Sequence, residues 1–195
     1  AKFKRPSFIK FDNEDLQDIL RTVAQTEFVL DSKGSIKLPD SLSKAKIQIG
    51  DTHYKLGVGG LHSQEKTQAL VPTEDQMLVD VDVASFYPTI ILGAGLYPQH
   101  IGPVFLKVYR RIVEDRLKAK ATGDKVKSDS LKVVINSSYG KLGSRYSALY
   151  APDLLMTVTL TGQLSLLMLI EQMERHGIKV KSANTDGIVC LFDKK

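Results

Sequence analysis

Apolar residues recur along this chain at two different periods, and the changes from one to the other outline its elements. Between Asp12 and about Gln25, the positions Leu16, Ile19, Leu20 and Val23 share one helical face, with Asp12 or Asn13 as the cap. From Lys46 to Leu56 the pattern alternates, and Gly50-Asp51 in its middle predicts a hairpin. Gly57-Val58-Gly59-Gly60 follows and marks unusual backbone. Gln68 to Val71 and Met77 to Val83 read as a second hairpin across Pro72-Thr73-Glu74-Asp75, whose second strand delivers Asp82 at its end. Alternation puts Asp80 and Asp82 on one face of that strand.

Further on, the helical period returns. Pro103 suits the first turn of a helix running to about Lys120, Gly123-Asp124 breaks it, and a second helix runs from about Val126 to Tyr139. The two form a helical hairpin inserted between strands. Leu154 to Ile170 carries no charge, but it contains Thr157, Thr159, Thr161, Gln163 and Ser165 and is shorter than the ~20 apolar residues of a membrane span. It reads as a buried helix with Asp153 as its cap and Gly177 beyond its end. Ile178 to Ser182 and Ile188 to Phe192 make a third hairpin across Asn184-Thr185-Asp186-Gly187. No internal repeat and no low-complexity segment interrupts the series.

Composition narrows the class without choosing a function. The chain has 195 residues, 43% of them hydrophobic, which is enough for a sizeable core in one domain or one and a half. A net charge of +5 is compatible with a phosphate-rich partner. A single cysteine, Cys190, excludes an internal disulfide and fits a reducing cytoplasm. Ala1-Lys2-Phe3-Lys4-Arg5 lacks the apolar run of a signal peptide. No His/Cys cluster suggests zinc, and His62 reads as a loop residue.

The chemistry lies in three segments. Asp82-Val83-Ala84-Ser85-Phe86-Tyr87-Pro88 and Ser182-Ala183-Asn184-Thr185-Asp186-Gly187 bracket Lys132-Val133-Val134-Ile135-Asn136-Ser137-Ser138-Tyr139-Gly140. Two separated carboxylates with a basic, amide-bearing helix between them are what metal-assisted nucleotidyl transfer requires. In this order the segments resemble motifs A, B and C of family B DNA polymerases, usually D-x-x-S-L-Y-P, K-x-x-x-N-S-x-Y-G and D-T-D-S. Motif B matches at every specified position, motif A except for Phe86, and motif C only at Thr185 and Asp186. The resemblance covers roughly residues 55 to 192.

That resemblance implies an α+β fold: an antiparallel palm sheet with packing helices and a two-helix fingers insertion. It implies metal ligands at Asp82, Val83 and Asp186 and two Mg²⁺ ions, with Mn²⁺ as a substitute. Asn184 stands where the first carboxylate of motif C belongs and cannot carry its charge. Lys132 and Asn136 are aimed at the triphosphate and Tyr139 at the nascent base pair. Arg116 and Lys120 resemble the R-x-x-x-K pair of the fingers, and the amides of Ser85 and Phe86 are placed to bind phosphate oxygens. Tyr87 becomes a steric gate beneath the sugar, and Asp82, Asp186 and Lys132 the catalytic set. Gly59-Gly60 resembles a Y-x-G-G segment that contacts template, without its tyrosine, and Gly140 joins Tyr139 on the DNA. Taken singly, these residues also have plain readings as turn, surface or packing positions.

The expected organisation is residues 1–56 leading into the palm, 57–102 with motif A, 103–140 as the fingers hairpin, and 141–195 with motif C. Thumb and exonuclease regions are expected to be missing, so the isolated chain is expected to extend primers poorly. The short connection between Asp82 and Lys132 favours a nucleic-acid-primed, phage-like or mobile-element enzyme acting on primer–template DNA and dNTPs in a bacterial or phage-infected cytoplasm, away from membranes. Two rivals remain open: a catalytically degenerate palm that binds DNA or a partner, supported by Asn184, and an RNA-making or reverse-transcribing palm.

Overall fold

A computed structural model describes residues 1–194; Lys195, which closes the last expected segment, lies outside them. The chain forms two compact units. The first takes in Ala1–Phe28, Lys37–Ala84 and the chain from Thr159 onward; the second takes in Val29–Ile36 and Ser85–Val158. The fold is α+β, as expected.

The first unit is built on an antiparallel six-stranded sheet: β1 (Ile47–Ile49), β2 (Thr52–Leu56), β3 (Leu61–Ser63), β4 (Gln76–Asp82), β5 (Lys179–Asn184) and β6 (Gly187–Asp193), in the order β1-β2-β3-β5-β6-β4. The β1–β2 and β5–β6 hairpins arise where the alternating pattern placed them. In β2 the alternation is complete, with Thr52, Tyr54 and Leu56 buried and His53 and Lys55 exposed. The expected pairing of Gln68–Val71 with Met77–Val83 does not form. Residues 64–75 contain no strand, and β4 pairs with β6 instead, along seven positions from Gln76↔Asp193 to Asp82↔Gly187. Four residues followed directly by Pro72 offer too short a ladder to compete with that seven-residue pairing. β4 is therefore the sheet's edge, and none of its residues is fully buried. β3, flanked by Gly57-Val58-Gly59-Gly60, was not anticipated: three residues carry too little alternation to be read as a strand.

Helix α1 (Glu14–Gln25) buries Leu16, Leu20 and Val23, and the Asn13 side chain accepts the Leu16 amide at its start. A one-turn α2 (Asp40–Ser43) buries Leu42. The long α6 (Pro152–Arg175) starts one residue before Asp153, which lies in its first turn and not at the cap. Gly177, just past the helix end, has φ 80°, a left-handed conformation that suits glycine. Among the described residues α6 is the one helix long and apolar enough to cross a membrane, and 72% of its apolar window is buried inside the protein. Its polar side chains are used internally. Glu174 accepts the Val180 amide at 2.7 Å, and Glu171, 3% exposed, accepts the amides of Asp12 (3.0 Å) and Asn13 (2.7 Å).

The second unit holds α3 (Phe86–Gly93), α4 (Val104–Ala121), α5 (Lys125–Lys141) and the first turns of α6. Its core gathers Ile91, Phe105, Tyr109, Ile135, Leu142 and Leu154. α4 and α5 pack on each other as the expected helical hairpin, and the Tyr109 hydroxyl donates to the Ile135 carbonyl at 3.2 Å. Pro103 precedes α4, and the Asp124 carboxylate caps α5 by accepting the Lys127 amide.

Glu171 generates a stability prediction. Its carboxylate satisfies two amides at the start of α1, where the helix dipole also favours negative charge. Glu171→Ala leaves both amides without that acceptor and should destabilise the chain by about 1–3 kcal/mol in urea titration, with Glu171→Gln costing less. A change within about 0.5 kcal/mol, the range of an ordinary surface substitution, would contradict this account.

Candidate active site

The carboxylates of the first unit meet because of one strand register. Asp82 ends β4 directly opposite Gly187, and the Val83 amide donates to the Asp186 carbonyl at 2.9 Å, extending the ladder one step. Asp82 and Asp186, far apart in sequence, are thus diagonal neighbours across the β4–β6 pair. The Asp82 Oδ1 lies 3.5 Å from where a Cβ on Gly187 would stand. Burial pushes the Asp186 carboxyl above the ordinary range, and the Asp82 charge pushes it further. Neither carboxylate forms an ion pair among the described residues. No group of three His, Cys, Asp or Glu side chains is poised for a metal among them either. Val83 can add only a backbone carbonyl.

The turn that carries Asp186 is constrained. Thr185 has φ 60°, and the Asp186 amide donates back to the Asn184 carbonyl at 2.7 Å. A β-branched residue in the left-handed region costs of order 1–3 kcal/mol unless its surroundings hold it there. Here they do: the Thr185 amide donates to the Leu61 carbonyl at 2.7 Å. A Cβ on Gly60 would stand 3.0 Å from the Thr185 Cα, Cγ2 and Oγ1, so only glycine fits there without displacing the turn. Gly60 is buried and Gly59 exposed. Asn184 is exposed, with His62 opposite it on β3, and its Oδ1 accepts the Thr185 hydroxyl.

The second unit gathers the cations. Arg116 and Lys120 on α4 and Lys132 on α5 line one cavity of about 250 Å³, together with Lys125, Ser128 and Asp129. Four cations against one carboxylate, with the positive end of α5 beside them, make the lining of this cavity electropositive. Lys125 was not singled out from sequence: it lies outside motif B, and only the helix hairpin turns it toward Arg116. The Arg116 Nη1 donates to the Ser85 hydroxyl at 2.8 Å, while its buried Nε has no hydrogen-bond partner among the described residues. Ser85 has φ 51° at the start of α3. Tyr87 stacks on Tyr139 with ring centroids 4.4 Å apart, and Phe86 is tilted against Tyr87 at 5.6 Å. Asn136 and Gly140 are exposed on α5, outside the residues that line the cavity.

Residues 105–189 match the family model for DNA polymerase family B. The matched stretch contains Arg116, Lys120, Lys132, Asn136, Tyr139, Gly140 and Asp186, but not Asp82. No curated protein matches the chain.

The Asp186 shift has a pH consequence for the metal-free chain. A carboxyl raised on folding binds its proton more tightly in the native state, so stability falls as pH rises from the unfolded toward the folded pKa and stays lowered above it. Asp82→Asn removes one of the two causes. It should therefore raise the melting temperature at pH 7 in the presence of chelator, and this gain should shrink in acid, where Asp186 is protonated in both proteins. A loss of stability at pH 7, or a gain independent of pH, would show that the two carboxylates do not repel.

Proposed function

We propose that this chain, whose residues 105–189 match the family model for DNA polymerase family B, performs template-directed DNA synthesis: attack of a primer 3′-hydroxyl on the α-phosphorus of a dNTP, with release of pyrophosphate. The observation that carries the proposal is the pairing of Asp82 with Gly187, which brings two carboxylates without cationic partners side by side. Their chemistry fits a hard divalent cation. Mg²⁺ takes oxygen ligands and is commonly held by one or two carboxylates plus substrate phosphates. Asp82 and Asp186, with the Val83 carbonyl, would hold the ions. When bound, two Mg²⁺ would lower the hydroxyl pKa and stabilise the entering and leaving oxygens of an in-line displacement.

The chain's own residues supply the rest. Arg116, Lys120 and Lys132 bind the triphosphate and offset charge as the leaving group departs. Lys125 adds a cation to the same cavity. The Ser85 hydroxyl, accepting from Arg116, holds that guanidinium in place. Tyr87, braced by its stack on Tyr139, excludes a 2′-hydroxyl and selects deoxyribose. Gly59, Tyr139 and Gly140 face the DNA, the buried Gly60 acts through its packing on Thr185, and Asn136 contacts the triphosphate beyond Lys132.

Mn²⁺-dependent dNTP binding and primer extension test this reading. Asp82→Ala and Asp186→Ala should each abolish extension and metal-dependent nucleotide binding, while primer–template affinity stays largely unchanged. Lys132→Ala should weaken dNTP binding at least about tenfold, or ~1.4 kcal/mol; an equal loss of DNA affinity would make α5 a DNA-tracking helix instead. A chain that binds DNA but neither Mn²⁺ nor dNTP would establish the degenerate alternative.

The gate has its own test. Tyr87→Ala should raise incorporation of rNTPs relative to dNTPs, and an unchanged ratio in an active variant would refute the role.

A further inference from the structure

Gln163 lies in the middle of α6 and is 1% exposed. A buried primary amide needs partners for both its ends, and this one finds them on a single residue of another segment. Its Nε2 donates to the Gly57 carbonyl at 3.0 Å, and its Oε1 accepts the Gly57 amide at 2.9 Å. The side chain therefore imitates a paired strand and grips the backbone where β2 ends. Gly57 in turn lies so close to Gly60 that a Cβ on it would stand 2.7 Å from the Gly60 carbonyl oxygen. The loop is thus a tight unit gripped at one end by α6. At its other end it presents Gly60 and the Leu61 carbonyl to Thr185, whose left-handed backbone carries Asp186 as the next residue.

We infer that Gln163 is a positioning residue for Asp186: by clamping Gly57 it sets the Gly57–Leu61 segment against Thr185, and so keeps the turn in the conformation that sets Asp186 diagonal to Asp82. The inference rests on the reading of Asp186 as a metal ligand, but the mechanical link has its own observable. A side chain that merely satisfied a buried loop would stabilise the loop and leave the turn alone. A positioning residue transmits its loss through two contacts to the Thr185 amide, whose acceptor is the Leu61 carbonyl. Thr185 in this conformation springs back once that acceptor moves, because a β-branched residue has little tolerance for positive φ.

Native-state hydrogen exchange on the whole chain, metal-free, reads this directly. Gln163→Leu keeps apolar bulk and removes both hydrogen bonds. The Thr185 amide should then speed up at least about tenfold more than the Gln17 amide of α1, which donates to the Asn13 carbonyl and serves as the reference outside the turn. Mn²⁺ affinity should fall by about the same factor, and Gln163→Glu, which retains an acceptor for the Gly57 amide, should lose less of both. Gly60→Ala approaches the turn from the opposite side and should reproduce the effect, which keeps the test decisive if Gln163→Leu does not fold. Faster exchange at Gly57 with unchanged exchange at Thr185 and unchanged Mn²⁺ affinity would overturn the inference. Should the parent chain bind no Mn²⁺ while Thr185 still responds to Gln163→Leu, the metal reading of Asp186 fails and the mechanical link stands.

Discussion

The antiparallel register of β4 on β6 is the constraint on which the candidate metal site depends. In this register Asp82 ends opposite Gly187, beside Asp186, whereas pairing displaced toward Ile188 and beyond would carry it away from the turn that bears Asp186. Seven successive pairs hold the register, and the Val83 amide adds one more bond at the end that matters. What results is unfavourable in isolation: two carboxylates without a cationic partner among the described residues, one of them raised by burial and by the charge of the other. The ladder spends backbone hydrogen bonding to impose a charge arrangement that the side chains alone would avoid. Such imposed repulsion is what a divalent cation relieves.

The second unit solves a complementary problem. Cations repel one another, so a cluster of them needs a scaffold that holds them without internal acidic partners. The α4–α5 hairpin does so through a core of Phe105, Tyr109 and Ile135, which sets the helix faces carrying Arg116, Lys120 and Lys132 against each other. Only Asp129 dilutes the charge in that cavity. The same helices and α3 bring Tyr139 and Tyr87 into a stack, so that a residue from each of two motif segments makes one aromatic platform.

Strain and its support are local to the turn that bears Asp186. Thr185 occupies a conformation a β-branched residue avoids, and it is held by a carbonyl from Leu61 and by a glycine with no room for a side chain. Gly60 thereby has a packing duty of its own. The buried amide of Gln163 extends this support into α6.

The sequence by itself determined α1, α4, α5 and α6, two of the β-hairpins, the α+β class and the identity of the residues that carry charge. Those features depend on local period, on caps such as Asn13 and Asp124, and on short motifs, all of which act over a few positions. It misplaced the partner of β4 and missed β3, because pairing is decided by which distant strand offers the longer matching ladder, and nothing in Gln76–Asp82 names β6. It also left Gln163 as one polar residue among several in a buried helix and Lys125 as an unremarked cation. Gly57 is far from Gln163 in sequence, and Arg116 and Lys125 lie on different helices, so only the tertiary structure brings each pair together. Local chemistry is written in the chain; which groups share a site is decided by packing, since proximity across the sheet and the helix hairpin is a property of the whole fold.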